Sequence, residues 1–259
     1  MQLLGESMSS STKVAILGGT GRMGVHLGCH WANLGVDVTL CSRTPQKAQD
    51  IIDKLKTGDG FVQTAAAGGD IKVPPPKNPA AAKDWKLTAG SVADAANADV
   101  IVLATMYDNQ WAQLAQISEA IRGKGKWIID MTNPFLRRPD GGASGISKAD
   151  MPPGGPAGVL VHKQKLGDES VKWACVFKHT MWLLILPDGP KKKSNGVEVF
   201  GDPEPVKMLT DLLVKGGWTP KYRGDLSVAP RYEPWGPKAA TPCSPSFIKR
   251  FMVDRLACI

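Results

Sequence analysis

The chain has 259 residues, of which 42% are hydrophobic and 22% charged, with a formal net charge of +8. It is long enough to bury a sizeable core, and its apolar stretch from Met181 to Leu186 is far too short to cross a bilayer. The basic residues are dispersed, apart from three consecutive lysines at 191–193, and no nucleic-acid motif accompanies them. These features argue against a membrane protein and against a nucleic-acid partner.

The N-terminal residues lack the basic and apolar regions of a secretory signal, so a cytoplasmic protein is expected. The five cysteines are scattered without zinc-type spacing, which favours reduced thiols. His26 and His30 are four residues apart, but no H-E-x-x-H glutamate or third ligand accompanies them. No metal site is therefore expected.

The first motif in chain order is a glycine-rich turn. Val14 to Leu17 form an apolar run typical of a buried strand, and residues 19–24 read G-x-G-x-x-G before a helix-compatible segment. Gly19 permits the tight turn, Gly21 lets the backbone approach a pyrophosphate, and Gly24 lets the helix pack closely on the strand. The helix N-terminus then faces the phosphates. This context predicts a dinucleotide site rather than an ordinary strand–turn–helix.

In a second predicted strand, Val36, Val38 and Leu40 alternate with polar residues. The residues at the end of this strand indicate which dinucleotide binds. NAD-selective sites usually place an acidic residue there, whereas this chain has Ser42 and Arg43, followed one helical turn later by Lys47. A hydroxyl, a planar guanidinium and an ammonium suit the 2′-phosphate of NADP(H). Arg22, inside the glycine turn, is a further candidate for phosphate or adenine contact. The alternative is a solvated basic helix start.

The rest of the chain alternates strands and helices. Apolar patterning predicts strands at 85–88, 99–105, 127–130, 170–177, 197–200 and 218–223, and helices at 46–55, 92–96, 111–121 and 205–215. Residues 57–83 and 136–157 are rich in Gly and Pro and are predicted as loops or insertions. The pattern is typical of an α/β fold, a doubly wound, mostly parallel Rossmann sheet extended by a C-terminal strand–helix–strand.

This organisation suggests two units. Residues 13–186 are predicted to form the NADP-binding Rossmann domain, and residues 187–259 a C-terminal extension that packs on the sheet and the acceptor pocket. Residues 247–256 carry apolar side chains along one helical side. They either complete the core or form a homodimer contact.

With these motifs placed, the sequence resembles the deazaflavin-dependent NADP oxidoreductases, and also the cytosolic reductase domain of six-transmembrane metalloreductases. The matching stretches are residues 16–21, 42–43 with 47–48, 99–103, 179–180 and 199–202. The resemblance implies that NADP(H) lies over the sheet edge and exchanges hydride at its nicotinamide. It also implies three groups of cofactor-binding residues: Thr20, Gly21, Arg22 and Met23 for the phosphates, Ser42, Arg43 and Lys47 for the 2′-phosphate, and Ala104, Thr105 and Met106 for the ribose and nicotinamide.

Candidate catalytic residues lie near the carboxyl ends of predicted strands. Reduction of a carbonyl or imine needs a proton donor, for which Tyr107, Asp108 and His179 are candidates. The alternatives are that Tyr107 and Asp108 shape a turn and cap a helix, and that His179 is a core histidine. Asn133 either hydrogen-bonds the nicotinamide carboxamide or caps a loop. Two tryptophans, Trp182 and Trp235, are candidates for lining the acceptor pocket.

The sequence thus predicts an NADPH-dependent oxidoreductase that transfers a hydride between NADPH and a small organic acceptor. The acceptor is either a carbonyl or imine, or a flavin-like cofactor such as flavin or deazaflavin, because hydride transfer to a flavin-like ring needs positioning more than a strong acid. The alternative from another class is a non-catalytic NADP-sensing regulatory protein.

Overall fold

The computed structural model describes residues 12–59, 61–65, 69–73, 82–137, 146–148, 157–178, 180, 185 and 196–233. The strands are β1 (Lys13–Leu17), β2 (Asp37–Cys41), β3 (Phe61–Ala65), β4 (Gly69–Val73), β5 (Leu87–Gly90), β6 (Val100–Leu103), β7 (Trp127–Asp130), β8 (Phe135–Arg137), β9 (Ile146–Lys148), β10 (Lys172–Val176), β11 (Val197–Gly201) and β12 (Pro220–Tyr222). The helices are α1 (Arg22–Asn33), α2 (Pro45–Thr57), α3 (Tyr107–Ile121), α4 (Gly158–Leu166), α5 (Pro203–Lys215) and α6 (Ala229–Tyr232), with 3₁₀ turns at Ala93–Asn97 and Leu226–Val228.

An eight-stranded sheet organises the fold, in the order β12-β11-β10-β7-β6-β1-β2-β5. The six strands from β10 to β5 are mutually parallel. β11 then pairs antiparallel with β10, and β12 pairs parallel with β11. The chain runs from β1 outward to β5 and resumes at β6 on the other side of β1. The carboxyl ends of β1 and β6 therefore form the switch point at which doubly wound sheets bind ligands.

Both faces of the sheet are covered, which explains the continuous apolar runs of its strands. Successive side chains of β1 point to opposite faces, so Ile16 joins one buried cluster and Leu17 the other. The first cluster contains the apolar sides of α1, α2 and α5, and the second those of α3 and α4. This layering confirms the predicted α/β doubly wound sheet with its C-terminal strand–helix–strand β11–α5–β12.

Several local predictions need correction. The segment predicted as a loop at 57–83 contains an antiparallel hairpin of β3 and β4, and the segment 136–157 contains β9, which pairs with β8. The prediction gave more weight to the Gly and Pro residues around these strands than to the short alternating patterns within the strands. Helix α3 begins at Tyr107, four residues earlier than predicted, and α4 was not predicted.

Residues 247–256 lie outside the described residues, as do Trp182 and Trp235. In the part of the chain that the structure describes, no helix has both the length and the apolar character needed to cross a membrane.

Candidate active site at the carboxyl edge of the sheet

The glycine turn connects β1 directly to α1. Gly18 has a φ of +81°, a left-handed conformation that favours glycine. The Gly19 N–H donates to the Cys41 carbonyl at 3.0 Å, which ties the turn to the end of β2. A Cβ at Gly24 would overlap the carbonyl oxygen of Gly18. The third glycine of the motif is therefore required for the first turn of α1 to pack against the strand, as the motif predicts.

The N-terminus of α1 is suited to an anion. Its N-cap is Gly21, which has no side chain to accept from the first backbone N–H groups, and its first turn contains no acidic residue. Such N–H groups, together with the helix dipole, favour negative charge. Arg22 is the first helical residue, and partial burial lowers the pKa of its guanidinium from the ordinary value.

Three polar residues follow β2 beside this turn. Ser42 is fixed by two bonds, because its N–H donates to the Gly90 carbonyl at 2.9 Å and its hydroxyl accepts from Thr44 N at 3.2 Å. Arg43 and Lys47 are exposed at the start of α2, whose first turn contains no acidic residue. The two cations and one hydroxyl thus lie at the strand end where dinucleotide-binding sheets contact the adenosine ribose.

On the other side of the switch point lies the segment after β6. The Ala104 N–H donates to the Leu17 carbonyl at 2.9 Å, and a Cβ on Gly18 would lie 2.7 Å from Cγ2 of Thr105. The two loops are therefore in contact. The Thr105 hydroxyl is buried and has no hydrogen-bond partner within the described ranges. Met106 is 40% exposed and precedes α3.

Further along the same edge lies a fully buried ionic group, here called the Lys178 cluster, formed by Lys178, Asp130 and Glu233. Lys178 Nζ donates to Asp130 Oδ2 at 3.0 Å, to Glu233 Oε1 at 2.9 Å and to the Thr132 carbonyl at 2.5 Å. Each of the three charged side chains is at most 1% exposed. All three ammonium protons are donated, so Lys178 is a structural centre and not a proton donor to a substrate.

The two carboxylates of the cluster are also bonded elsewhere. Asp130 Oδ1 accepts from Gln110 Nε2 at 3.2 Å and from Thr132 N at 2.8 Å. Glu233 Oε2 accepts from Gly158 N at 2.6 Å, at the N-terminus of α4. Glu233 therefore caps a helix that begins 75 residues earlier in the chain.

Electrostatics within the cluster favour its charged form at Asp130 and Lys178. Burial opposes ionisation of Asp130, but Lys178 lowers the pKa of this carboxyl below its usual value. Burial likewise disfavours the charged lysine, yet Asp130 and Glu233 raise the pKa of Lys178. Burial raises the pKa of Glu233, and Lys178 opposes that shift. Loss of Lys178 would leave two buried carboxylates without their cation.

A strained backbone residue directs Lys178 into the cluster. Phe177 has a φ of 57° and, within the residues that the structure describes, no other non-glycine residue has a positive φ. This conformation costs about 1–2 kcal/mol for a residue with a Cβ. Its ring packs edge-on against Trp218 with centroids 5.6 Å apart. The turn ends β10 and brings the next side chain under the carboxyl edge.

Tyr107 lies beside the cluster at the start of α3. Its ring centroid is 5.0 Å from that of His162, which in turn stacks on Trp111 at 6.4 Å. A Cβ on Gly158 would lie 2.8 Å from Cε2 of Tyr107, so only glycine fits beneath the ring. Burial, and then the carboxylates of the cluster, raise the pKa of Tyr107. The phenol is thus protonated at neutral pH.

His162 is neutral in this environment. Burial lowers its pKa to about 4, and Lys178 opposes protonation, although Asp130 favours it. Its Nδ1 atom is buried and has no hydrogen-bond partner in the described part of the chain.

Asn133 connects the loop after β7 to the cluster. Its Nδ2 donates to the Lys178 backbone carbonyl at 2.7 Å. Its Oδ1 is buried and has no partner among the residues described. Because a carbonyl can only accept, the Nδ2 group must face Lys178, and Oδ1 is left as a free acceptor.

The structure therefore brings most of the predicted site residues to one edge of the sheet. Asp108 is the second residue of α3, but its side chain lies outside the described residues, as does His179 altogether. Sequence reasoning missed four residues at this edge: Asp130, His162, Lys178 and Glu233. Asp130 is the last residue of one apolar strand and Lys178 lies two residues after another, which was an available signal, whereas nothing local marks Glu233.

This fold and this edge define a dinucleotide-binding α/β protein of the Rossmann type. Residues 13–134 match the model of the family described as NADP oxidoreductase, coenzyme F420-dependent. The match confirms the resemblance of the dinucleotide-binding part of the chain to the deazaflavin-dependent NADP oxidoreductases.

Curated relatives agree with this assignment. The F420-dependent NADP reductases of Methanothermobacter thermautotrophicus and Methanothermobacter marburgensis are each 34% identical over 123 residues. The match covers 48% of this chain, and 44% and 45% of the two relatives. The similarity thus spans less than half the length of either relative.

Solved structures share the fold at lower identity. A hypothetical protein from Sinorhizobium meliloti has a TM-score of 0.60 at 17% identity, covering 87% of this chain and 90% of that one. An imine reductase from Bacillus cereus has a TM-score of 0.52 at 15% identity, covering 95% and 63%. A pyrroline-5-carboxylate reductase from Coxiella burnetii has a TM-score of 0.51 at 13% identity, covering 95% and 69%. At these identities the likeness concerns the fold alone.

Proposed function

We propose that the protein is an NADP(H)-dependent oxidoreductase that transfers a hydride between NADPH and a small organic acceptor. The observation that carries this proposal is the arrangement of the carboxyl edge. An uncapped helix N-terminus at Gly21 lies at the switch point, with Arg43 to one side. To the other side lie two buried oxygen atoms, Thr105 Oγ1 and Asn133 Oδ1, that have no partner among the described residues. Buried polar atoms without partners are uncommon in proteins, and a bound ligand would satisfy these two.

The residues along this edge fit NADP(H) from its adenosine end to its nicotinamide end. Ser42, Arg43 and Lys47 hold the 2′-phosphate. The turn from Gly19 to Met23 holds the diphosphate, with Thr20 and Arg22 beside it. Ala104, Thr105, Met106 and Asn133 line the ribose and the nicotinamide. The bound cofactor supplies the hydride, and the chain orients it and excludes water.

The acceptor we favour is a flavin-like ring, of which a deazaflavin is the leading candidate. The family model and the names of the two curated relatives both specify coenzyme F420. Transfer between two flat rings needs stacking and orientation more than an acid. Within residues 187–259, Glu233 contributes to this acceptor side of the site, because it accepts a bond from Lys178 in the cluster beside Asn133.

A carbonyl or imine is the second candidate acceptor, and Tyr107 is the observation that favours it. Its phenol is half-buried and protonated at neutral pH, and Tyr107 begins the helix at the same edge of the sheet. A positioned phenol can donate the proton that reduction of a C=O or C=N bond requires. Asp108 and His179 remain further candidates for this role.

The test is NADPH oxidation by the full chain with a deazaflavin, with flavins, and with a panel of ketones and cyclic imines. Turnover with flavin-like rings that survives the Tyr107→Phe substitution supports the first acceptor class. Turnover with carbonyls or imines that falls by roughly 10²–10⁴-fold in the same variant supports the second. Tight NADPH binding without turnover on any acceptor would contradict an enzyme and favour an NADP sensor.

A further inference from the structure

The Lys178 cluster has a structural link to the nicotinamide end of the proposed site. Lys178 Nζ donates to the Thr132 carbonyl, and the next residue, Asn133, returns a bond of 2.7 Å from Nδ2 to the Lys178 carbonyl. These two reciprocal bonds join the loop after β7 to the turn after β10. Asn133 Oδ1 is thereby held as a buried acceptor with no partner in the described residues.

The position of Lys178 is in turn fixed from both sides. Asp130 at the end of β7 and Glu233 after α6 bind two of its three ammonium protons. Glu233 is itself held by the backbone N–H groups of Gly158 and Val159 at 2.6 and 3.4 Å. A displacement of Glu233 would therefore move Lys178, and through it Asn133.

We propose that Glu233 and Asp130, acting through Lys178, position Asn133 to accept a hydrogen bond from the carboxamide of the nicotinamide ring. Glu233, Asp130 and Lys178 are positioning residues, and Asn133 is the residue that touches the cofactor. Glu233, which follows α6, thus helps to determine the position of the nicotinamide end of the dinucleotide. This inference rests on the proposed function.

Two ligands separate this role from a general effect on the fold. NADP⁺ carries the nicotinamide ring, and 2′-phospho-ADP-ribose lacks only that ring. Calorimetry of both ligands with the full chain therefore isolates the contribution of the nicotinamide ring with its carboxamide. We expect Glu233→Gln and Asn133→Ala each to weaken NADP⁺ binding by roughly three- to tenfold, the effect of one hydrogen bond, and to leave 2′-phospho-ADP-ribose within about twofold of wild type.

The double variant tests whether Glu233 acts through Asn133. If it does, Glu233→Gln adds nothing to the loss already caused by Asn133→Ala. Glu119→Gln is the matched control, because this carboxylate pairs with Arg122 on the exposed side of α3, and it should change neither affinity. The inference would be overturned if Glu233→Gln weakened the binding of both ligands equally or left NADP⁺ binding unchanged. Additive losses of NADP⁺ affinity in the double variant would also overturn it.

A second variant covers the case in which Glu233→Gln does not fold. Glu233→Asp keeps the negative charge beside Lys178 and shortens the side chain by one methylene, which withdraws the carboxylate from Lys178 Nζ. The same selective loss of NADP⁺ affinity is expected, and wild-type NADP⁺ affinity in this variant would overturn the inference. Failure of the wild-type chain to bind either ligand would instead refute the proposed function.

Discussion

The two halves of the proposed site are built in different ways. The adenosine half comes from one continuous stretch of about 35 residues, 13–47, and relies on glycines, backbone N–H groups and exposed cations. The acceptor half is assembled from segments as distant as Tyr107 and Glu233, and it is held by a buried ionic cluster. The family match ends at residue 134, before Lys178 and Glu233 enter. The similarity to the family thus includes all of the adenosine half and only part of the acceptor half, up to Asn133.

The largest effect is expected from breaking the acceptor half at its centre. Lys178→Met leaves Asp130 and Glu233 buried without their cation, which should destabilise the protein by about 3–5 kcal/mol in denaturant unfolding. Lys207→Met is the matched control, since this lysine pairs with Asp211 on the exposed side of α5, and it should change stability by at most about 0.5 kcal/mol. Similar effects of the two substitutions would show that the cluster does not hold the edge together.

A smaller effect, confined to the adenosine half, is expected from Arg43→Ala. Loss of a charge-assisted bond to the 2′-phosphate should reduce the preference for NADP⁺ over NAD⁺ by roughly 10–100-fold, measured by calorimetry. Affinity for NAD⁺ should change little, because NAD⁺ has no phosphate at this position. Arg122→Ala serves as the control, because Arg122 is an exposed arginine just after α3. An unchanged preference in Arg43→Ala would place the 2′-phosphate elsewhere.

A third effect is a pH dependence of stability that originates at His162. Its pKa is about 4 in the folded protein and 6.5 in the unfolded chain, so the unfolded state binds the extra proton between these values. Stability is therefore lost as pH falls from 6.5 towards 4, by about 1 kcal/mol per pH unit from this residue. His162→Phe should flatten the measured slope of unfolding free energy in this window and leave the slope above pH 7 unchanged. A slope identical to wild type would contradict burial of a neutral histidine.

The same contrast explains what could be predicted from the sequence. The strands β1, β6 and β7 were predictable because both faces of the sheet are covered, which produces uninterrupted apolar runs. The glycine turn was predictable because its geometry depends on neighbouring residues alone. The expected cofactor contacts of Ser42, Arg43 and Lys47 follow from their place at the end of β2 and stay predictions.

Helix α4 and the Lys178 cluster escaped prediction for physical reasons. Helix α4 was not predicted because its N-cap, Ala157, has no capping side chain. Its first N–H group is instead bound by Glu233, 75 residues away. Asp130 at the end of β7 and Lys178 after β10 were not recognised as a pair. Their pairing depends on β7 and β10 being neighbours in the sheet, which the local sequence does not indicate. The left-handed turn at Phe177, an aromatic residue, has no sequence signature.

A crystal structure of the full chain with NADP⁺ bound tests most directly whether the cofactor lies along the carboxyl edge of the sheet. We expect the 2′-phosphate beside Arg43, the diphosphate at the N-terminus of α1, and the carboxamide within hydrogen-bonding distance of Asn133 Oδ1. A nucleotide bound away from the glycine turn, or a nicotinamide directed away from Asn133 and Tyr107, would contradict this placement.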